Sequence, residues 1–370
     1  MRILISLVIA CFFAFSLSAC VNRDAQMENL GFEKVGNLNN PQMYHNAITL
    51  NDGRVLIVGG KFNAEQMELY NPKTKSFSLS LPLGHGTRHS KGIRLANGNV
   101  LIFSRNDKTY FELFNPLKQT LVPAGELSQR EFSLVPLNNN DAILAGGFRY
   151  LNDQHTEAVS DVVRYDSQKN TFNKAGSLKE HCNANGAAQV DENTILFPGQ
   201  KNFQLYNLKT QKIQLLHPSE KMKQLNLKMK DMQIIQTDKG DIFVFGNRYL
   251  FPFDKTKTSF KDVYLLPMHA LEYVSSILFS ADSRFVTLNS YTKPDKDVNS
   301  KASFIRNEYN TEINEFKITP SGVSLVKHKD LSDFQMPPYA AIAITGNTLL
   351  FSGGDYGGAR PVKTSYIYHL

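Results

Sequence analysis

Between Tyr44 and Gly60 the chain carries the stretch Y-H-N-A-I-T-L-N-D-G-R-V-L-I-V-G-G. It predicts an alternating strand, a tight Asn-Asp-Gly turn, a uniformly apolar second strand and a diglycine stop. Weaker copies recur to the end of the chain at a spacing of roughly 50 residues, which is typical of a propeller or a solenoid. The copies align Gly59 with Ser104, Gly146, Gly199, Gly246, Asn289 and Gly353.

Each copy predicts four strands. The second is an apolar run such as Val55–Val58, which suits a strand buried on both faces. The third ends in a turn formed by an aromatic residue and Asn or Asp, because these polar side chains cap the backbone. These turns lie at Asn71, Asn115, Asp166, Asn207, Asp254 and Asn310. A short fourth strand is predicted around Phe77, Leu121, Phe172, Ile213, Phe260 and Phe316.

The diglycine and the aromatic turn together resemble kelch motifs, from about Gly31 to Leu370. The resemblance implies an all-β fold over residues 31–370: a seven-bladed kelch-type β-propeller of the galactose-oxidase/kelch-like superfamily, with four antiparallel strands per blade. The usual tryptophan of that family is absent, since the chain has no Trp, and Tyr or Phe takes its place. The last copy lacks a fourth strand, so we predict that Phe32–Val35 pairs with Thr364–Tyr368 and closes the ring.

The first residues predict export. Arg2 and the apolar run Ile3–Phe15 are typical of a secretion signal. The run ends in L-S-A-C at Cys20, which resembles the bacterial lipobox and implies a leader over residues 1–19, an acylated Cys20 and a lipidated tether over residues 20–30. Val21 follows where an inner-membrane retention signal has Asp, so the resemblance implies the outer membrane, on either of its sides. A plain signal peptide or a retained anchor is the alternative.

Cysteine usage and charge narrow the class of protein. Once Cys11 leaves with the leader and Cys20 carries lipid, Cys182 is alone, so no internal disulfide is expected. The net charge of +7 is spread over 370 residues without a dense basic run interleaved with aromatics. We therefore expect no nucleic-acid partner, although an acidic envelope polymer fits this charge.

Ligands of kelch-like propellers generally bind at the mouth of the central channel, where the innermost strands begin. Arginine there can bind a carboxylate with two hydrogen bonds, while Glu and His can transfer protons. Polar lining of a hydrated channel is the plainer interpretation. The candidate ligand residues at these positions are Tyr44, His45, Arg88, His89, Arg130, Glu131, His181 and Tyr339, with Asn183, Lys230 and Asp231 beside them.

Two enzyme hypotheses follow from the resemblance. Tyr44 and His45 resemble the copper-binding Tyr-His pair of galactose-oxidase-like enzymes, but Cys182 lies several blades away and the stacking Trp is missing. Exported kelch sugar mutarotases, which act on sialic acid with acidic and basic channel residues, form the other model. Arg88, His89, Arg130 and Glu131 could serve there, although no specific motif connects them with that activity.

The sequence favours a binding or protein-interaction scaffold over an enzyme, held at a membrane by lipid on Cys20. A carbohydrate-binding or carbohydrate-active envelope protein is the alternative. No cofactor or metal is predicted, the propeller is expected to be monomeric, and an envelope protein or glycan is the expected partner. Four insertions longer than a hairpin needs are candidate binding loops: 148–159, 216–227, 291–303 and 355–362. The second of these could form a short helix.

Overall fold

A computed structural model describes residues 24–25, 27–62, 65–86, 90–152, 155–182, 186–229, 232–237, 239–266, 273–279, 284–292, 309–319, 322–330, 341–354 and 361–370. Within these ranges the protein is built almost entirely from antiparallel strands. The signal peptide and the Cys20 lipidation site lie outside them. No described helix is long and apolar enough to cross a membrane.

The first two sheets follow a single strand and have four strands each, in chain order. After β1 (Phe32–Lys34), sheet 1 contains β2 (His45–Thr49), β3 (Val55–Gly59), β4 (Gln66–Asn71) and β5 (Ser76–Pro82). Sheet 2 contains β6 (Lys91–Arg94), β7 (Val100–Arg105), β8 (Thr109–Asn115) and β9 (Thr120–Leu127).

Sheet 3 is interrupted by a second, three-stranded sheet. In chain order the strands are β10 (Gln129–Arg130), β11 (Ser133–Pro136), β12 (Ala142–Ala145), β13 (Phe148–Asn152), β14 (His155–Ala158), β15 (Asp161–Asp166) and β16 (Thr171–Ser177). Sheet 3 is β11-β12-β15-β16, while β10, β13 and β14 pair separately. The insertion predicted at 148–159 is therefore a hairpin that pairs with the chain entering sheet 3.

Sheets 4 and 5 are separated by one short helix. Sheet 4 contains β17 (Ala188–Gln189), β18 (Thr194–Pro198), β19 (Phe203–Asn207) and β20 (Ile213–Leu216), followed by α1 (Glu220–Gln224). Sheet 5 contains β21 (Gln233–Gln236), β22 (Ile242–Gly246), β23 (Tyr249–Asp254), β24 (Ser259–Phe260) and β25 (Tyr264–Leu265), the last two both pairing with β23. Helix α1 lies in the insertion predicted at 216–227, which the sequence had marked as able to form a short helix.

Sheet 6 contains β26 (Tyr273–Phe279), β27 (Arg284–Thr292), β28 (Tyr309–Thr319) and β29 (Gly322–Asp330). Sheet 7 contains β30 (Ala341–Thr345), β31 (Thr348–Ser352) and β32 (Ser365–His369), with β1 as its outermost strand. Phe32 pairs with Tyr368, Glu33 with Ile367 and Lys34 with Tyr366, as predicted for the two chain ends.

The sheets stand side by side in a propeller-like arrangement. The first strand of sheet 1, β2, lies next to both β6 and β30, and β11 lies next to β6 and β17. The apolar second strands fill the space between sheets: Leu56 and Val58 of β3, for example, pack in one cluster with Val100 and Ile102 of β7. Strand β3 is buried along its whole length, which confirms the interpretation of its apolar run.

In sheets 1, 3 and 7, a glycine at the end of the second strand allows the neighbouring sheet to pack closely. Gly59, Gly146 and Gly353 all have positive φ. A Cβ on Gly59 would lie 2.8 Å from the Ser90 carbonyl oxygen, and one on Gly146 would lie 2.5 Å from the Cys182 Sγ. The chain entering the next sheet therefore lies directly over each glycine, which explains the diglycine signature.

The turns after the third strands are those predicted, with one exception. The Asn115 side chain accepts from the Leu117 and Lys118 N–H groups. The equivalent side chains of Asn71, Asp166, Asn207 and Asp254 each accept from the N–H group two residues further on. The turn predicted at Asn310 was wrong, because β28 continues through it to Thr319. Phe316 accordingly belongs to the third strand, where it pairs with Phe285.

Candidate functional site

The entry face is the end of the molecule at which the first strands of the sheets begin. The described candidate residues there are Tyr44, His45, Arg130, Glu131 and His181. The other candidates, Arg88, His89, Asn183, Lys230, Asp231 and Tyr339, lie outside the described residues, as do most of 291–303 and 355–360.

His45 lies at the seam between sheets 1 and 7. Its Nε2 is 3.0 Å from the Ser352 Oγ of β31, and its Cε1 lies over Gly353. Burial lowers the pKa of the imidazole to about 4, against a smaller opposing effect of the Ser352 contact, so His45 is neutral at pH 7. Its Nδ1 is buried and has no hydrogen-bond partner among the described residues.

Arg130 lies at the seam between sheets 2 and 3, in the two-residue strand β10. Its Nη2 donates to the carbonyl oxygen of Asp107 at 2.6 Å and also to that of Asn106. Its guanidinium lies over the Tyr150 ring, 4.2 Å from the centroid, a cation–π geometry. The Nε is buried and has no partner within the described ranges. The inserted hairpin therefore supplies an aromatic platform for a fixed cation.

Tyr44 and Glu131 each precede the first strand of a sheet, and both have left-handed backbone, with φ of 61° and 55°. This conformation is unfavourable for residues other than glycine, and it often marks functional positions. Glu131 forms an ion pair with Arg105, whose Nη1 lies 2.8 Å from the Glu131 Oε1. The Tyr44 side chain is 46% exposed. Both side chains are thus presented on the surface of the entry face.

His181 lies at the seam between sheets 3 and 4. Its Nδ1 is 3.1 Å from the Val159 carbonyl oxygen, so this nitrogen carries the proton and donates. The ring stands edge-on to Phe148 of the inserted hairpin, with 4.8 Å between centroids. Its Nε2 is buried and has no partner in the part of the chain that the structure describes.

Cys182, adjacent to His181, has no exposed thiol. The residue is 2% exposed, and burial raises the pKa of its thiol to about 12. Its Sγ donates to the Ala145 carbonyl oxygen at 3.4 Å. This side chain therefore packs between sheets 3 and 4 as part of the core.

The described donor set does not fit a copper centre. His45 and His181 belong to seams on different sheets, and no group of three or more His, Cys, Asp or Glu side chains converges among the described residues.

A cavity of about 770 Å³ lies at the opposite end of the first strands, which we call the turn end. Five sheets line it, through residues such as Asn51, Arg94, Leu137, Gln189 and Lys239. None of the described candidate residues lines this cavity. The channel-mouth assignment of those residues stays a prediction.

Sequence analysis missed the residues that support the site. Tyr150 lies in the insertion 148–159, a predicted candidate binding loop, but nothing in the sequence marked its ring as a partner of Arg130. Asn106 and Asp107 contribute only backbone oxygens. One detectable signal was a polar residue two positions before the aromatic residue of three of these turns: Glu68, Glu112 and Gln204. Their side chains accept from the backbone N–H groups of the chain entering the same sheet, as Glu112 does from Gly84 and His85. They orient the entering segments.

Comparisons with known proteins give the fold. No protein-family model matches the sequence, and no curated protein does. Among solved structures, a fungal alcohol oxidase of the AA5 family in complex with copper has a TM-score of 0.61 at 11% identity, covering 91% of this chain and 76% of its own. The structure of YjhT has a TM-score of 0.50 at 13% identity, covering 91% of this chain and 97% of its own.

At these identities the likeness shows the fold alone, and it agrees with the resemblance to the kelch and galactose-oxidase-like superfamily. It also corrects one expectation. The sequence favoured a non-enzyme, whereas the fungal alcohol oxidase is an enzyme with this fold. That preference was wrong, and the scaffold role has no support from the comparisons.

Proposed function

We propose that this protein is a carbohydrate-active enzyme of the cell envelope, and that its substrate binds at the entry face. One observation carries the proposal. Three side chains chosen from sequence, His45, Arg130 and His181, each have a buried nitrogen without a partner among the described residues. A buried polar atom left unpaired costs about 1–3 kcal/mol, so three on one face favour a polar ligand there.

The chemistry of the site suits a sugar that carries an acid group. Arg130 is held by two carbonyl oxygens and by Tyr150, which leaves a positioned cation for a carboxylate. Tyr150 is 48% exposed and offers a surface for the apolar face of a sugar ring. His181 has a buried Nε2 without a partner among the described residues, and Glu131 is a carboxylate paired with Arg105.

The reaction class that these groups support is acid–base interconversion of sugar anomers. A base takes the proton of the anomeric hydroxyl while the bond from the anomeric carbon to the ring oxygen breaks, and an acid protonates that oxygen. Closure from the other side reverses both transfers, so no oxidant or cofactor is consumed. His181 is proposed as the base.

The test measures both the binding of sugars and the exchange between their anomers. Thermal unfolding of the chain from Val21 onward is measured with neutral sugars, sialic acids and peptidoglycan fragments, and anomer exchange is followed by NMR. A ligand at one hundred times its dissociation constant adds about 2.7 kcal/mol of stability. Arg130→Gln should abolish the shift for acidic sugars, and His181→Gln should abolish exchange while binding persists.

Arg54→Gln is the matched control. Arg54 lies at the turn end, paired with Asp52 at 2.7 Å, and its loss should change neither readout. The proposal fails if no sugar shifts the transition, or if Arg130→Gln and Arg54→Gln behave alike.

The cellular address is a separate proposal. We propose that Cys20 is acylated, that the leader ends at Ala19 and that the protein is held at the outer membrane. Mass spectrometry of the mature N-terminus and fractionation of membranes test it, with Cys20→Ala expected in the soluble fraction. Retention of Cys20→Ala in membranes contradicts the anchor.

The ring itself is the third proposal. We propose that residues 31–370 form one monomeric, closed propeller of seven blades, sheets 1–7, with β1 completing the last blade. The pairing of β1 with β32 supports closure, because it joins the two ends of the chain in one sheet. A crystal structure with six or eight blades, or a dimer in light scattering, would contradict this.

A further inference from the structure

The chain just after the proposed lipidation site is fixed to sheet 7. The carboxylate of Asp24 accepts from the Lys34 Nζ at 2.5 Å and from the Tyr366 hydroxyl at 2.7 Å. Met27 is 1% exposed and packs in one cluster with Phe32, Tyr366 and other residues of sheets 6 and 7. The segment predicted as a free tether therefore contains a docked part from Asp24 onward.

Little chain is left to separate lipid from protein. Only Val21, Asn22 and Arg23 lie between Cys20 and Asp24. Four residue steps span at most about 14 Å when fully extended. Strand β1 is the outermost of sheet 7, and the innermost strand β30 is three strand spacings further away, again about 14 Å.

The rim around β1 suits an anionic lipid surface. We call it the sheet-7 rim: β1, the adjoining turn before β5, and β29. Lys75 pairs with Glu33 of β1, and Lys327 lies 4.6 Å from the centroid of the Tyr368 ring. Val326 of β29 is 54% exposed, and Leu79 of β5, next to the rim, is 56% exposed. Exposed aliphatic residues among lysines match the headgroup region of a membrane.

We infer that the sheet-7 rim faces the lipid bilayer, so that the protein stands on its edge with the entry face and the turn end both open to the aqueous phase. The inference rests on the proposed acylation of Cys20. A short, docked connection sets the orientation, and the lysines and aliphatic residues add contact with acidic phospholipid. A substrate could then reach the entry face without crossing the membrane surface.

The test measures energy transfer from single labelled positions to acceptor headgroups. The lipidated full-length protein is placed in vesicles of phosphatidylethanolamine and phosphatidylglycerol. Donors are attached at Ser78→Cys beside the sheet-7 rim, Asn173→Cys on β16, Thr156→Cys on the inserted hairpin and Glu192→Cys at the turn end. Cys182 is buried and stays unlabelled.

Transfer from Ser78→Cys should exceed that from Asn173→Cys by about twofold or more, because a chain of this length has a radius of gyration near 20 Å. Equal transfer at all four positions, or the highest transfer at Thr156→Cys or Glu192→Cys, overturns the inference. Inserting six Gly and Ser residues after Arg23 should reduce the difference while the protein still floats with the vesicles. Protein that does not float with vesicles at all contradicts the acylation of Cys20 instead, and the orientation falls with it.

Discussion

His45 shows how burial changes the chemistry of a single residue. Its sequence position beside Tyr44 suggested a metal ligand or a proton-transfer group, but its ring is enclosed at the seam of sheets 1 and 7. The unfolded chain binds a proton at the ordinary histidine pKa near 6.5, whereas the folded chain binds it only near 4. The folded state therefore loses stability as the pH falls through this window.

We predict that His45→Gln flattens the pH dependence of stability. In the unaltered protein, lowering the pH from 6.5 to 4 should cost up to about 3 kcal/mol through this one group, because the unfolded state binds more protons there. Urea unfolding across this pH range measures the slope. His217→Gln, which removes an exposed histidine bonded to Asn202, is the control. If the unfolding free energy of His45→Gln still falls with pH by the same amount, another group is responsible for the pH dependence.

Glycine at the seams gives a second residue-scale prediction. Gly146→Ala combines positive φ with a Cβ lying 2.5 Å from the Cys182 Sγ. Gly346→Ala is the matched control, since it has φ of +58° and no atom within 4 Å. Left-handed strain alone should cost about 1–2 kcal/mol in Gly346→Ala, and overpacking should add about 1–3 kcal/mol more in Gly146→Ala. Chemical denaturation measures the free energy of unfolding of both variants. If both lose the same amount, the contact between sheets 3 and 4 adjusts to the added methyl group without cost.

At the scale of elements, the short strands β10 and β1 each position a part of the molecule much larger than themselves. Strand β10 places Arg130 beside the inserted hairpin, because Arg130 pairs with Phe148 of β13. The three residues of β1 cover the edge of β32, which would otherwise present unpaired backbone groups to other chains. The sequence predicted the pairing of β1 with β32, whereas nothing in it indicated a partner strand for β10.

We predict that Phe32→Ala opens this edge. Phe32 is 3% exposed, with its ring 5.4 Å from Phe351 and 5.2 Å from Tyr368 between centroids. Removing a buried phenylalanine costs about 3–5 kcal/mol, and the loosened strand should increase self-association. Thermal unfolding and light scattering measure the two effects. Phe62→Ala, at 42% exposure, should change neither.

For the molecule as a whole, the single thiol of the chain from Val21 onward reports on global unfolding. Cys182 is enclosed between sheets 3 and 4, and burial raises its pKa to about 12. Its reaction with a thiol reagent therefore requires separation of the sheets.

We predict that Cys182 of the chain from Val21 onward is labelled no faster than the protein unfolds globally. The labelling rate should rise with urea in parallel with the unfolded fraction, and it should rise further in Gly146→Ala, whose substitution lies against this thiol. Labelling measured by mass spectrometry at increasing urea tests this. Rapid labelling without urea would show local opening at this seam.

The amino-acid sequence by itself determined the order and type of most strands, the turns after the third strands, the pairing of the two chain ends and the short helix at Glu220–Gln224. The strands, turns and helix depend on local periodicity and turn chemistry, which lie within a few neighbouring residues. The pairing of the chain ends followed from the repeat itself, because the last copy lacks a fourth strand. The sequence failed at Asn310, where strand β28 continued through an apparent turn signal. Only the tertiary structure decided which side chains meet: Ser352 with His45, Tyr150 with Arg130, Phe148 with His181, and Asp24 with Tyr366. Such contacts join residues that are far apart in the chain or lie across a seam, and they depend on how whole sheets stack, which no local pattern encodes.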